Sequence, residues 1–186
     1  MLFLVLPSRD DCLRILREAG CGRGVVRHCV VVSSLAVRIA RMFVERGFRV
    51  DVGLVEVGGL LHDVGRSRTH EIGHGVVGGE IVRELGLPEA VARVVERHVG
   101  AGLTAEEASG FGLPRRDFVP VTWEEKIVCY ADKLVAGGRV VGFDEIFRRF
   151  VEDVGVGSPA VGRLRRLHGE VSRVVGDLLE GGSPRA

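Results

Sequence analysis

The order of apolar and polar residues along the chain is helical almost everywhere. From Val25 to Gly47, apolar residues recur at spacings of three and four for about six turns, which predicts one long amphipathic helix. Before it, Ser8 can cap a shorter helix that ends at Gly20. After it, residues 51–63 are apolar on most sides, which predicts a helix buried at the centre of the fold.

Five more segments carry the same helical pattern. Thr122 and Glu125 form the capping-box signature that opens one of them. We find no strand-like alternation, no repeat and no internal linker, so the expected fold is an all-α, single-domain bundle of seven or eight helices. The five segments are residues 75–86, 88–100, 122–135, 143–155 and 160–181.

Residues 100–121 differ from the rest of the chain, because they hold four glycines, two prolines and mixed charges. Connections of this length in a compact domain are typical of lids and binding loops. We therefore predict a specificity lid here, with a short helix over residues 104–110 as an interruption.

Composition narrows the class of protein. The chain of 186 residues is 46% hydrophobic, which indicates a globular fold, and its net charge of +1 argues against nucleic acid as a partner. The four cysteines form no CxxC pair and are expected to be reduced. The N-terminal run "MLFLVLP" is too short to span a bilayer and lacks a basic region before it, so we expect no membrane association and a cytoplasmic location.

The stretch "GGLLHDVGRSRTHEIGHG", residues 58–75, concentrates the candidate chemistry. Imidazole and carboxylate together suit Zn, Fe or Mn better than Mg or Ca. Taken singly, each histidine or aspartate also fits a helix terminus or a hydrogen-bonded core residue. One shared metal centre would explain six of them, which lie at ends or inner faces of predicted helices: His28, His62, Asp63, His74, His98 and Asp132.

These six residues occur in the order of a known signature. With the flanking segments "LLHDVGR", "HGVVGGEIV", "VERHVGAG" and "EEKIVCYADKLV", the chain resembles the HDIG-type branch of the HD-domain metal-dependent phosphohydrolases. It is especially similar to small archaeal HD proteins and to bacterial HD-type diadenosine tetraphosphate hydrolases. The resemblance covers about residues 8–140, which leaves residues 141–186 as a C-terminal helical extension within a single domain over 1–186.

The resemblance implies an all-α fold with the site in the middle of the bundle. It implies two divalent ions, Fe or Mn, with Zn, Ni, Co or Mg as further options. Asp63 would bridge them, and a metal-bound hydroxide would attack phosphorus. His28, His62 and Asp132 would complete the first ion's ligands, and His74 and His98 the second's.

Four further side chains acquire candidate roles in such a site. Arg66 would bind a phosphate and assist catalysis. Arg68 is either a second phosphate ligand or a solvent-exposed charge, and Lys133 either reaches a phosphate or pairs with a glutamate. His70 would donate a proton to the leaving group or orient a ligand from outside. His168, by contrast, is expected to face solvent.

The expected activity is hydrolysis of a small phosphorylated substrate, a nucleotide or a dinucleoside polyphosphate. Two alternatives stay open: a 5′-nucleotidase with one metal ion, and a non-catalytic HD module that senses a ligand. A nucleic-acid-binding bundle would rest on "GRLRRLHGEVSR", a run that an ordinary amphipathic helix explains better. No feature of the sequence specifies an oligomeric state.

Overall fold

Helices make up most of residues 5–176, the part of the chain that this computed structural model describes. Within that range the all-α class is confirmed, and a 3₁₀ turn, Val64–Ser67, and a two-residue hairpin, β1 (Val135–Ala136) with β2 (Arg139–Val140), accompany the α-helices. The α-helices are α1 (Arg9–Glu18), α2 (Arg23–Glu45), α3 (Val52–Leu61), α4 (His74–Glu84), α5 (Glu89–Glu96), α6 (Ala105–Gly110), α7 (Trp123–Lys133), α8 (Phe143–Val154) and α9 (Pro159–Val175).

The predicted helix starts coincide with real caps. Ser8 and Asp11 form a reciprocal capping box at α1, and Thr122 and Glu125 form another at α7. Each pair satisfies backbone N–H groups that have no partner inside the helix. Gly22 precedes α2 without any side-chain cap, so the first N–H groups of that long helix lack such a partner.

Helix α3 lies at the centre, as its apolar character predicted. It contacts α1, α2, α5 and α7, and two buried clusters meet around it. Its glycines permit close packing: a β-carbon on Gly59 would come within 2.8 Å of the Ser33 backbone in α2, and one on Gly58 would overlap Val94 of α5. The ends of the surrounding helices are therefore brought close to the end of α3.

Residues 100–121 contain a helix and a small hydrophobic core and are not a plain loop. The short helix α6 begins with its own capping box, and Leu103, Ala108 and Phe118 form a small core with Val76 of α4. This sixth helix raises the count to nine in the described residues, against the seven or eight expected. The specificity lid stays a prediction.

Two other expectations need correction. The hairpin of β1 and β2 was not foreseen, because two-residue strands carry no periodicity. His168 does not face solvent freely: its Nδ1 is 2.7 Å from the Tyr130 hydroxyl and its ring stacks on Phe143.

Two expectations concern residues that the structure does not describe. The start of the N-terminal apolar run, residues 1–4, and the predicted end of the last helix, residues 177–181, lie outside the described residues. Between residues 5 and 176, no helix combines the length and apolar character that crossing a membrane would require.

Candidate metal centre

Five elements deliver the six predicted ligands to one place. His28 comes from α2, Asp132 from the end of α7, and His74 is the first residue of α4. His62 caps the end of α3, and Asp63 follows it at the start of the 3₁₀ turn. His98 follows α5 by two residues and is buried like most of the others; all six side chains lie within a single cluster of short contacts.

One half of the cluster surrounds Asp132. Its Oδ1 lies 2.9 Å from His28 Nε2 and 3.5 Å from His62 Nε2. Asp63 Oδ2 lies 3.7 Å from His62 Nε2 and 4.0 Å from His28 Nε2. These four side chains therefore present nitrogen and oxygen atoms to a common volume.

The other half surrounds the second oxygen of Asp63. Its Oδ1 is 3.3 Å from His74 Nε2 and 3.5 Å from His98 Nε2. The two imidazole Nε2 atoms are themselves only 3.1 Å apart. Asp63 thus turns one carboxylate oxygen to each half of the cluster.

The change of helix type after α3 makes this placement of Asp63 feasible. Neighbouring residues on an α-helix point about 100° apart, which would separate His62 from Asp63. At Asp63 the chain instead leaves the α-helix, with φ −100° and ψ 14°, and begins the 3₁₀ turn. Gly65 then allows α4 to approach, because a β-carbon there would collide with the His74 carbonyl oxygen and lie 2.6 Å from Gly78 N.

Backbone carbonyls hold three of the histidines in one tautomer. Nδ1 lies 2.8 Å from Gly59 O in His62, 2.7 Å from Glu71 O in His74 and 2.6 Å from Val95 O in His98. A carbonyl oxygen can only accept, so Nδ1 carries the hydrogen in each ring. The Nε2 lone pairs therefore point into the cluster, as they do in metal-bound histidines.

The cluster contains more acceptors than protons. His62 Nε2 and Asp63 Oδ1 are buried and have no hydrogen-bond partner among the described residues. His74 and His98 face each other with two lone pairs at 3.1 Å. Such an arrangement is costly in a protein interior unless a cation compensates it.

The histidines of the cluster differ in the direction of their pKa shifts. Burial opposes the charged form of His62, but Asp63 raises the pKa of that ring well above its ordinary value. Burial lowers the pKa of His98 to about 4, which keeps its ring neutral near pH 7. Burial alone would raise the pKa of Asp63, but His62, His74 and His98 hold it far below its ordinary value. Neutral imidazoles and ionised carboxylates are the forms that bind divalent cations, and this donor set fits Fe, Mn or Zn.

Comparison with known proteins identifies the family of this chain. The family model described as "HD domain" matches residues 25–137. The chain belongs to the HD domain family. The resemblance predicted from the sequence is thereby confirmed.

Relatives of this HD domain differ widely in length. An uncharacterized protein of Methanocaldococcus jannaschii is 46% identical over 166 residues, covering 89% of this chain and 98% of that protein. A tRNA (cytidine(56)-2′-O)-methyltransferase of Picrophilus torridus is 38% identical over 94% of this chain, but this chain spans only 49% of it. A ribonuclease Y of Thermosipho melanesiensis is 33% identical over 75% of this chain, which spans 24% of that protein.

Among solved structures, the HD domain of the L. monocytogenes phosphodiesterase PgpH, in complex with cyclic-di-AMP, has a TM-score of 0.54. The alignment covers 95% of this chain and 99% of that one at 14% identity. At that identity the likeness shows the fold alone.

Two cations contact the carboxylates of this HD-domain cluster. Arg66 Nε donates to Asp63 Oδ2 at 2.7 Å, and Lys133 Nζ donates to Asp132 Oδ2 at 2.6 Å. Lys133 therefore pairs with an aspartate and not with the glutamate that was considered. Their side chains are 30% and 19% exposed, so both border the cluster on a side that reaches solvent.

Two other predicted residues are not brought to the cluster. Arg68 donates to Glu84 at 2.8 Å, with its side chain 51% exposed, which favours the solvent-exposed alternative. His70 is exposed in the loop before α4, and that loop is not helical, so His70 does not share a helix face with His74. Within residues 5–176 no hydrogen bond or ion pair joins the His70 ring to the six candidate ligands.

The carbonyl groups that orient the histidines were not predicted. Each belongs to the residue three positions before its histidine, at Gly59, Glu71 and Val95. Every residue has a backbone carbonyl, so no pattern of residue types marks the ones that accept these hydrogen bonds. The sequence signal that could have indicated these carbonyl groups is the position of the histidines near predicted helix ends, where carbonyls lack helical partners.

Proposed function

We propose that this protein is a metal-dependent phosphohydrolase that acts on a small phosphorylated substrate, a nucleotide or a dinucleoside polyphosphate. The observation that carries the proposal is the pair of buried atoms without a partner, His62 Nε2 and Asp63 Oδ1, among converging lone pairs. A core histidine of purely structural role would have both ring nitrogens satisfied.

We assign the six ligands to two ions. His28, His62 and Asp132 would hold one ion, His74 and His98 would hold the other, and Asp63 would contribute one oxygen to each. Such ions, when bound, supply a nucleophile from water at neutral pH and stabilise charge on a phosphate. Iron or manganese suits the mixed nitrogen and oxygen donors.

Arg66 and Lys133 would bind the phosphate. In the structure each contacts a ligand carboxylate through one nitrogen, which leaves further N–H donors available on the partly exposed side. Arg66 offers two parallel donors to phosphate oxygens, and Lys133 offers a point charge. Both would hold the substrate's negative oxygens and orient its phosphorus toward the cluster.

The choice of a nucleotide substrate is supported by the names of relatives. The PgpH HD domain is a phosphodiesterase domain solved with cyclic-di-AMP, and ribonuclease Y and a tRNA methyltransferase are related in sequence. An RNA phosphodiester is therefore a second candidate substrate. The net charge of +1 favours the smaller molecule, because binding to a long polyanion depends on an excess of basic residues.

All six ligands are present, which argues against a non-catalytic HD module that senses a ligand. A 5′-nucleotidase with one ion differs in a measurable way, since His74 and His98 would then be structural. The buried contact of their Nε2 atoms at 3.1 Å favours a second ion over that alternative.

The activity is tested by a screen for phosphate and nucleotide release. Mononucleotides, dinucleoside polyphosphates, cyclic dinucleotides and a short RNA are each incubated with Mn, Fe, Co, Ni or Mg. We expect turnover of a small nucleotide with Mn or Fe and none by the Asp63→Ala variant. Turnover of RNA alone would assign the second candidate, and no turnover of any substrate would contradict an enzymatic role.

The number of ions is tested by metal analysis of purified protein reconstituted with Mn. We expect two equivalents per chain, and about one in the His98→Ala variant together with a large loss of activity. One equivalent in the wild type, with full activity retained in His98→Ala, would instead establish a mononuclear site.

A further inference from the structure

A cavity of about 350 Å³ opens between the end of α1 and the start of α2. Three of its five lining side chains are arginines, Arg17, Arg23 and Arg27, and the other two are Cys21 and Val26. Its volume is in the range of small-molecule sites. No acidic side chain contributes to this lining.

One sequence neighbour and two contacts relate this arginine cavity to the surroundings of the candidate ligands. Arg27 directly precedes His28 on α2. Cys21 Sγ donates to the carbonyl oxygen of Val64, the residue after Asp63, at 3.6 Å. The Arg27 guanidinium also lies against Gly138, in the β1–β2 turn that follows α7. A molecule bound at the metal centre could therefore extend into the cavity.

The arginines of the cavity are not neutralised by the protein. Arg17, Arg23 and Arg27 form no ion pair or side-chain hydrogen bond with any residue from 5 to 176. All three side chains are exposed. Arginines without an ion pair also line a cavity along α9, namely Arg165, Arg166 and Arg173, but there Glu170 contributes an acidic side chain to the lining. Two cations of another cavity are paired directly, Lys126 with Glu170 and Arg163 with Glu107, each at 2.7 Å.

The start of α2 adds to the positive potential. Gly22, the residue before the helix, provides no side-chain cap, so the first N–H groups of a 23-residue helix stay available beside Arg23. Three unpaired guanidinium groups and a free helix N-terminus repel cations and attract a multiply charged anion.

We propose that the arginine cavity binds a second phosphate-bearing part of the substrate while the metal centre holds the phosphate that is cleaved. The substrate class is then a molecule with several phosphate groups, a nucleoside polyphosphate or a dinucleotide, and not a nucleoside monophosphate. This inference rests on the proposed function for the position of the cleaved phosphate, whereas anion binding in the cavity can be measured without turnover.

The test compares two double variants on the same helix. Arg23→Gln with Arg27→Gln removes two cavity charges, and Arg38→Gln with Arg41→Gln removes two exposed, unpaired charges elsewhere on α2. Calorimetry measures the binding of inorganic tripolyphosphate and of inorganic phosphate to the full chain. We expect the cavity variant to bind tripolyphosphate at least about tenfold more weakly, with phosphate binding changed less than about twofold.

Equal affinities for tripolyphosphate in wild type and cavity variant would overturn the proposal. So would an equal loss in both double variants, because the effect would then be one of net charge. Hydrolysis of p-nitrophenyl phosphate, which has one phosphate, reports on the metal centre separately. If wild type fails to hydrolyse any phosphate ester but the cavity variant still loses tripolyphosphate binding, the proposed function fails and the anion site stands.

Discussion

Two buried carboxylates, Glu125 and Asp63, differ in how far the protein supplies them with hydrogen-bond donors. Glu125 is 2% exposed and receives Arg97 Nη1 at 2.8 Å, the Val121 N–H at 2.6 Å and the Thr122 N–H at 3.2 Å. Asp63 is 4% exposed, and its Oδ1 faces two imidazole lone pairs without a donor.

The contrast separates a carboxylate that stabilises the fold from one that we propose to bind metal. Burying a charge is costly unless partners compensate it, and for Glu125 the chain supplies those partners itself. Glu96 is similar, because Arg83 and Arg116 both donate to it at 2.6 and 2.8 Å. At Asp63 the chain supplies Arg66 to one carboxylate oxygen only, and the proposed ions would compensate the charge at the other.

The largest expected effect is on activity, in the Asp63→Ala variant. We expect kcat/KM to fall at least about a thousandfold, because both proposed ions lose a ligand. The free energy of unfolding without metal should also fall, because Arg66 and His62 lose the carboxylate with which they interact in the fold. In the wild type, Mn at a hundred times its Kd should add about 2.7 kcal/mol of stability. Chemical denaturation with and without Mn measures both; a similar Mn effect in the variant would contradict the assignment.

The next effect is on stability, in the Glu125→Ala variant. We expect the free energy of unfolding to fall by about 3 kcal/mol, because Arg97 and two backbone N–H groups lose their acceptor. Metal content of the folded protein should stay that of the wild type. Glu170→Ala, which breaks a more exposed pair with Lys126, is the matched control and should cost less than about 1 kcal/mol. Equal losses in the two variants would refute a special role for Glu125.

The smallest effect is expected for Arg68→Gln. Its pair with Glu84 is exposed, so we expect no measurable change in stability and a change in kcat/KM of less than about twofold. Arg66→Gln is the comparison, with KM raised by about tenfold if Arg66 binds phosphate. Steady-state kinetics on the best substrate of the screen measures both. If Arg68→Gln impaired the kinetics as much as Arg66→Gln, Arg68 would have to be assigned to the site after all.

Much of the fold follows from patterns that span only a few residues. The helical spacing from Val25 to Gly47, the caps at Ser8 and Thr122, and the largely apolar segment of α3 all predicted elements that the structure contains. The set of candidate ligands also came from the sequence, because the order of histidines and aspartates and their flanks resemble those of the HD family.

The roles of individual polar residues depended on the packing of helices. Arg66 and Arg68 are two residues apart, yet one donates to Asp63 and the other to Glu84. His168 contacts Tyr130 because α7 and α9 pack together. Such partners are far apart in the chain, so no local pattern records them.

The sequence by itself determined most of the helical elements, two of their caps and the six candidate metal ligands, since periodicity, capping and motif order are local properties. The tertiary structure decided which buried acid is satisfied and which is not, and it gathered three unpaired arginines from α1 and α2 around one cavity. The physical reason is that electrostatic compensation acts across space, between side chains whose distance is set only when the helices pack.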